Sequence, residues 1–502
     1  MNLDPNARYP IERWIEVMSA APLPVLGQTM RQISKLRADE ENVRPRELSQ
    51  IVLHDPFMAL RVLRFLKNRR SAHAMTEITT IEHAIMMLGV SPFFRTFGDL
   101  RALDADISTQ KVAMQGLIAV VGRARHAALH AREWARLRHD IESDEVVIAT
   151  LLHDMAEMLL WYFAPTQAQD IEARLAADTT QRSVDVQVAV LGFSLNELQV
   201  ALATAWGLPP LLTSLMDDCR AERPRARTVL LAVNLTRHSS NDWEDAALPD
   251  DIKAIHTLIG RPVLEVKQRI FHTALEAGRD HEWYGERAPA MRLPPFPLDI
   301  ESDHAIPGPR SSASIYIRVG RILASESDED LVHWAASGTL NQAGPAPTLA
   351  ALVALSFHGL YKGVGLARQI YFSIDESGTL ARARYLGGVR DSRKLAGSTL
   401  PLGAENPLTR KLTENGAVWW RGPEDDLPLT DLTREMRIAS EGRGFFAGLI
   451  RTADGRGALM YCDANKGPLL LNEERFGRFC EICRLLSVKL AGSIPEAAAL
   501  AG

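Results

Sequence analysis

Two adjacent side chains, His153 and Asp154, carry the combination best suited to chemistry in this 502-residue chain. An imidazole and a carboxylate together suit divalent metal ions, and a bound metal makes water nucleophilic near neutral pH. The dipeptide alone is a weak sign, because His54-Asp55 and His139-Asp140 repeat it. A core histidine steadied by a neighbouring carboxylate is the plain alternative. Cys480 and Cys483 form a CxxC inside FGRFCEICRLLSVKL, which reads as an amphipathic helix. With no second CxxC to complete a zinc site, and no strand leading into a helix N-terminus, they read as buried structural thiols. Trp419, Trp420 and Tyr461 are candidates for a ligand pocket, with aromatic core packing as the alternative. Lys362-Gly363-Val364-Gly365 reads as a helix end rather than a phosphate cradle, and Asp217-Asp218 as solvated acids.

The elements that must position these residues fall into two kinds. At 502 residues, with 46% apolar and 24% charged side chains, the chain is long enough for several cores and is not a disordered polymer. A net charge of −5 supplies no basic field for nucleic acid. The opening MNLDPNARYPIERW lacks the apolar run of a leader, and no stretch is expected to approach the ~20 apolar residues of a membrane span. Four cysteines make no disulfide framework, so a cytoplasmic location is expected.

Residues 10–280 are almost entirely helical in pattern. Leu48, Ile51, Val52, Leu60, Leu63 and Leu66 recur at helical spacing, with Asp55-Pro56 between two helices. Thr79 to Glu82 has capping-box spacing ahead of AIMMLG, which Gly89 should stop. KVAMQGLIAVVGRARHAALHAREWARL, ESDEVVIATLLHDMAEMLLWYF and SLNELQVALATAWG each read as a helix, the second buried and carrying His153-Asp154. From 285 to 344 a proline-rich linker is expected, with Leu293, Phe296 and Leu298 as apolar anchors and a helix from about 311 to 336. From 345 to 502 the period changes. TLAALVALSFHGLYKG is helical, RQIYFSID and TLARARYLGG form strands around a Gly-containing turn, and a second strand pair turns at Asp454-Gly455 before the final helix. The fold class is therefore multidomain: an all-α bundle over 1–284, then an α+β domain.

Several blocks in order resemble the HDOD family, regulatory relatives of the metal-dependent phosphohydrolases named for their His-Asp pair. They are Pro22–Leu26, Asp55-Pro56 with ALRVLRFLKN, Ile85–Gly89, LLHDMAEMLL, Trp206-Gly207-Leu208-Pro209 and Ala232-Val233-Asn234, together spanning about 15–280. The resemblance implies a site built from an upstream His, the His-Asp pair and a downstream Asp. His126, 27 positions before His153, matches the first. Asn234 stands where the last acid belongs, and it is a neutral, poorer ligand. Ala156 and Glu157 replace a common Gly and Lys, Leu195 stands where a histidine is common, and Asp217-Asp218-Cys219 where a His-His pair is. The motif of GYP-type cyclic-dinucleotide hydrolases is missing. His126, His153, Asp154 and Asn234 are thus expected to be vestigial, serving packing and hydrogen bonding, with no catalytic residues, metal or cofactor.

By element order, residues 345–492 look like a GAF-type sensor. Such domains bind small ligands between sheet and loops, or pair through terminal helices. The expectation is a bacterial, non-enzymatic signalling protein, with the helical module binding other signalling proteins and the GAF-like domain taking a small ligand or a second copy in a homodimer. No direct nucleic-acid or membrane binding is expected. The rivals are a phosphohydrolase with an altered His-Asp site and a structural oligomerisation protein.

Overall fold

The computed structural model describes residues 8–69, 79–103, 111–178, 181–217, 222–240, 243, 245–284, 319, 323, 349–387, 399–403, 406–422, 425, 440, 443–451, 457–464 and 471–492. It divides into two compact units. The first comprises Met1–Arg237, Pro249–Val263 and Glu282–Pro289, and the second His238–Leu248, Leu264–His281 and Ala290–Gly502.

Among its described residues the first unit is helical, apart from an isolated bridge between Val25 and Ala102. Its described helices are α1 (Ile11–Ala20), α2 (Gly27–Arg37), α3 (Pro45–Val52), α4 (Pro56–Arg69), α5 (Ile81–Leu88), α6 (Val90–Phe97), α7 (Lys111–Leu137), α8 (Ser143–Leu152), α9 (Met155–Phe163), α10 (Pro165–Ala177), α11 (Ser183–Leu191), α12 (Leu195–Ala205), α13 (Pro210–Leu215), α14 (Pro224–Ser239) and α15 (Leu248–Ile259). The long α7 is the spine. Its Ala124, Ala128, Ala131 and Ala135 are buried, and such small side chains let neighbouring helices approach closely. Gly116, on the same helix, faces the Trp161 ring where any Cβ would collide.

Asp55 explains the break between α3 and α4. One oxygen accepts from the Phe57 and Met58 amides at 3.0 and 3.1 Å, capping α4. The other accepts from Leu26 N and Thr29 Oγ1 at 2.7 and 2.8 Å, which ties the start of α2 to the same carboxylate. The cap of α5 is Thr80, whose hydroxyl accepts from His83 N, rather than Thr79. Thr79 Oγ1 instead donates to the buried Glu145 at 2.6 Å, a tertiary partner that competes with the local box. Gly89 ends α5 at φ +87°, as expected.

Two further expectations need correction. Ser143–Phe163 does reach the length and hydropathy of a membrane span, and 83% of that window is buried inside the unit, as suits a core segment. It is also not one helix, because the chain breaks at His153-Asp154 into α8 and α9.

The second unit is α+β. It begins with α16 (Val263–Ala277), which supplies Phe271 and Leu275 to the same core as Leu355 and Tyr385. Leu264–His281 therefore belongs with this unit rather than with a helical domain ending at 284. Then follow α17 (Leu349–His358), β1 (Arg368–Ile374), β2 (Leu380–Gly387), β3 (Thr399–Pro401), α18 (Pro407–Asn415), β4 (Ala417–Trp420), β5 (Phe445–Ile450), β6 (Ala458–Asp463) and α19 (Glu473–Gly492). The six strands form one antiparallel sheet in the order β3-β2-β1-β6-β5-β4. Alternate side chains feed two cores. Tyr371, Phe446 and Met460 meet Phe479 and Leu486 of α19, whereas Ile370, Phe372, Phe445 and Leu459 meet Leu408 and Leu412 of α18.

Gly365, at φ +88°, caps the turn after α17, so the Lys362–Gly365 stretch is a helix end. The proline-rich linker with its three anchors, the helix from about 311 to 336, the Asp454-Gly455 turn and Asp218-Cys219 lie outside the described residues, apart from Val319 and Leu323.

Candidate functional site

Every residue of α8 from Glu145 to Leu152 is buried, and this apolar rod delivers His153 and Asp154 to the middle of the helical unit. His153 is still helical, at φ −57°, ψ −42°, whereas Asp154 turns to φ −94°, ψ 25° and begins α9. His153 Nδ1 lies 3.1 Å from Asp154 Oδ1, so the ring donates from Nδ1 to its neighbour.

The rest of that carboxylate's capacity is taken by arginines. Arg123 of α7 donates from Nη2 to Asp154 Oδ2 at 3.0 Å and to Glu157 Oε2 at 2.6 Å. Arg237 of α14 donates from Nη2 to Oδ1 at 2.9 Å. The side chains of Asp154 and Arg123 are only 6% and 13% exposed, so these are charge-assisted bonds in a poorly solvated place. Burial pushes the Asp154 carboxyl up, but Arg237, Arg123 and His153 outweigh it and hold the group well below the usual carboxylate range. Arg123 is likewise held charged against burial by Glu157 and Asp154.

The helices that carry the two more distant site positions reach Asp154 through other residues. His126, 1% exposed, points its Nε2 at His130 Nε2, 3.1 Å away, and His130 in turn lies 5.4 Å, ring to ring, from Trp134. Burial, and then His126, push His130 well below its ordinary value, so that ring is neutral. From α7 it is Arg123, three residues before His126, that reaches Asp154. From α14 it is Arg237, three residues after the half-buried Asn234. Both helices thus meet the aspartate, each with a cation. These residues do not fit a divalent metal, because an ion at Asp154 would sit between two guanidinium groups. Among the described residues, no group of three or more His, Cys, Asp or Glu side chains is placed to hold one.

A second arginine of this kind lies at the far end of α8. Arg225 donates to Asp140 Oδ2 at 3.0 Å and to Glu145 Oε2 at 2.8 Å. Sequence spacing pointed to none of these arginines, although Glu157 had been singled out as a departure. The partner of each lies on another helix, so only the fold brings the pairs together.

In the sheet unit the three aromatic candidates separate by strand alternation. Trp420 and Tyr461 lie on the α18 side, with Phe445 between them at 5.3 and 5.1 Å. Trp419 lies on the α19 side against Phe446 and Phe476, with the Arg421 guanidinium 4.5 Å above its ring. Trp419 thus faces the opposite side of the sheet from Trp420 and Tyr461. Tyr461 donates to Asp463 Oδ2 at 2.7 Å, and Arg368 grips Asp463 with two bonds of 2.7 and 2.6 Å across the β1–β6 pairing. Cys462, Cys480 and Cys483 are free, and burial pushes all three thiols up, away from the reactive thiolate. Arg384 is the extra residue of a β-bulge in β2, where the pairing steps from Tyr371–Tyr385 to Phe372–Ala383. Its Nε is buried without a hydrogen-bond partner.

The HDOD domain model matches residues 23–220, a stretch that holds His126, His153 and Asp154. Residues 23–220 form an HDOD domain. Asn234 and Arg237 of α14 lie beyond that match, so the HDOD aspartate is completed from outside it. Among solved structures, the MmoQ response regulator from Methylococcus capsulatus is 20% identical, with 47% of this chain and 94% of that one covered and a TM-score of 0.37. A virulence factor from Campylobacter jejuni is 20% identical over 49% of this chain and 89% of its own, with a TM-score of 0.38. An HDOD domain protein with unknown function from Geobacter sulfurreducens is 18% identical over 55% and 100%, with a TM-score of 0.31. No curated protein matches.

Proposed function

We propose that this chain is a regulatory protein of bacterial signal transduction, cytoplasmic and without catalytic activity. Its HDOD domain binds other signalling proteins, and its C-terminal sheet domain acts as a GAF-like sensor of a small ligand or a second copy. The observation that carries the non-enzymatic reading is Asp154 held between Arg123 and Arg237. Metal-assisted hydrolysis needs donor side chains that are free to hold a cation and that leave a coordination position open for water. Here the positive charge is already supplied by guanidinium groups that can neither activate water nor open a coordination position.

The sensing reading draws on the order of helix, strand pairs and closing helix around one antiparallel sheet. The direct test of the first half is a phosphodiesterase assay of the full chain on cyclic dinucleotides and nucleotides, with Mn²⁺ or Mg²⁺ supplied. The expected rate is no higher than that of His153→Ala. A rate that this substitution abolishes would favour the altered-site phosphohydrolase instead.

A further inference from the structure

On α4, Arg61, Arg64 and Lys67 stand at successive three-residue steps, which keeps them on one side of the helix. Among the described residues, none of the three forms an ion pair with a carboxylate. Asp55 attracts Arg61 at longer range, but its own oxygens are taken by Leu26, Thr29, Phe57 and Met58. Burial lowers the pKa of both arginines, and the charge of Arg61 lowers that of Arg64 further. Arg61 and Arg64 are therefore held near one another, half-buried, with no carboxylate among the described residues paired to either. Such an arrangement destabilises the free protein and favours an anion that enters it.

The two arginines are also fixed in place. Arg61 is anchored by Nε, which donates to Leu23 O at 2.7 Å and leaves its terminal nitrogens available. The Arg64 guanidinium carbon lies over Trp206, 4.4 Å from the ring centroid, and Trp206 is itself held by its Nε1 donating to Ser19 Oγ at 2.8 Å. Lys67 places its amine over Gly207, where a Cβ would collide with it, and Gly207 has φ +56°. The Trp206-Gly207 turn is thus a platform, with the indole under one cation and the missing side chain making room for another.

We propose that Arg61, Arg64 and Lys67, set over the Trp206-Gly207 turn, bind the diphosphate group of a small soluble ligand. Three clustered cations, two of them anchored, match the charge of two linked phosphoryl groups, and guanidinium forks suit their oxygens. The site is independent of the Asp154 network and of the regulatory reading, since it needs neither catalysis nor a partner protein.

Calorimetric titration of the full chain with pyrophosphate tests it, with inorganic phosphate and sulfate as comparisons at one ionic strength. Pyrophosphate is expected to bind one to one, about tenfold or more tighter than either comparison anion. Arg64→Gln should weaken it about tenfold or more. Lys67→Gln, at an exposed position, should weaken it several-fold with the melting temperature no lower than the parent's, so the test survives if the Arg64 variant misfolds. Pyrophosphate binding no tighter than sulfate, or an unchanged affinity in Lys67→Gln, would overturn the proposal.

Discussion

The helical unit holds two groups of cations that differ in one respect. Around Asp154, each guanidinium meets a carboxylate: Arg123 faces Asp154 and Glu157, and Arg237 faces Asp154. On α4, Arg61, Arg64 and Lys67 meet a carbonyl, an indole face and a glycine. The first group is closed, with charge answered by charge inside the protein, and removing Asp154 takes one of its two carboxylates from the buried Arg123. The second is open, and removing a member relieves repulsion. Residue type therefore does not decide whether a buried arginine is structural or available for binding. What decides it is whether its countercharge is already in the fold.

The largest effect that can break this comparison is expected at the centre of the closed group. Asp154→Ala should cost about 3–5 kcal/mol in denaturant unfolding, because it strands the buried Arg123 beside a single partner. A loss under about 1 kcal/mol would place that network with ordinary surface pairs. Asp55→Ala, which strips four donors and two helix starts of their acceptor, should cost about 1–3 kcal/mol. By contrast, Lys67→Gln should leave stability within about 0.5 kcal/mol of the parent or raise it.

How much of this was legible before the fold was known varies by element. The 27 residues of α7 follow the apolar period of Lys111–Leu137, and the β1–β2 pair follows alternation broken by Glu376-Ser377-Gly378. The break at His153-Asp154 was not legible, since the apolar run passes through it and the partners of Asp154, Arg123 and Arg237, lie on other helices. β3 and β4, at three and four residues, carry too few alternations to register, although Trp419 and Trp420 were noticed. Thr79 fits the local capping signal, yet Glu145, remote in sequence, claims it. The positions of His126 and Asn234 were readable from the family pattern. That their helices would instead present Arg123 and Arg237 was not, because salt bridges between helices leave no period in a sequence.

Acid sharpens the comparison more gently. The folded pKa values of His130 and Asp154 are both depressed, so for each the unfolded chain binds protons that the folded one refuses. The His130 contribution is full above about pH 6.5 and falls as pH drops below it, and the Asp154 contribution begins to fall near about pH 4. His130→Gln should therefore flatten stability against pH just below 6.5 while leaving the fall near 4 intact. An unchanged slope below 6.5 would mean that His130 takes its proton in the folded state.

The central claim is that guanidinium groups, and not a metal ion, answer the charge of Asp154. Its most direct test is the melting temperature of the full chain in Mn²⁺ and in a chelator, alongside His153→Ala. The account predicts the same melting temperature in both solutions. A clear rise in Mn²⁺ that vanishes in the chelator and in His153→Ala would contradict it.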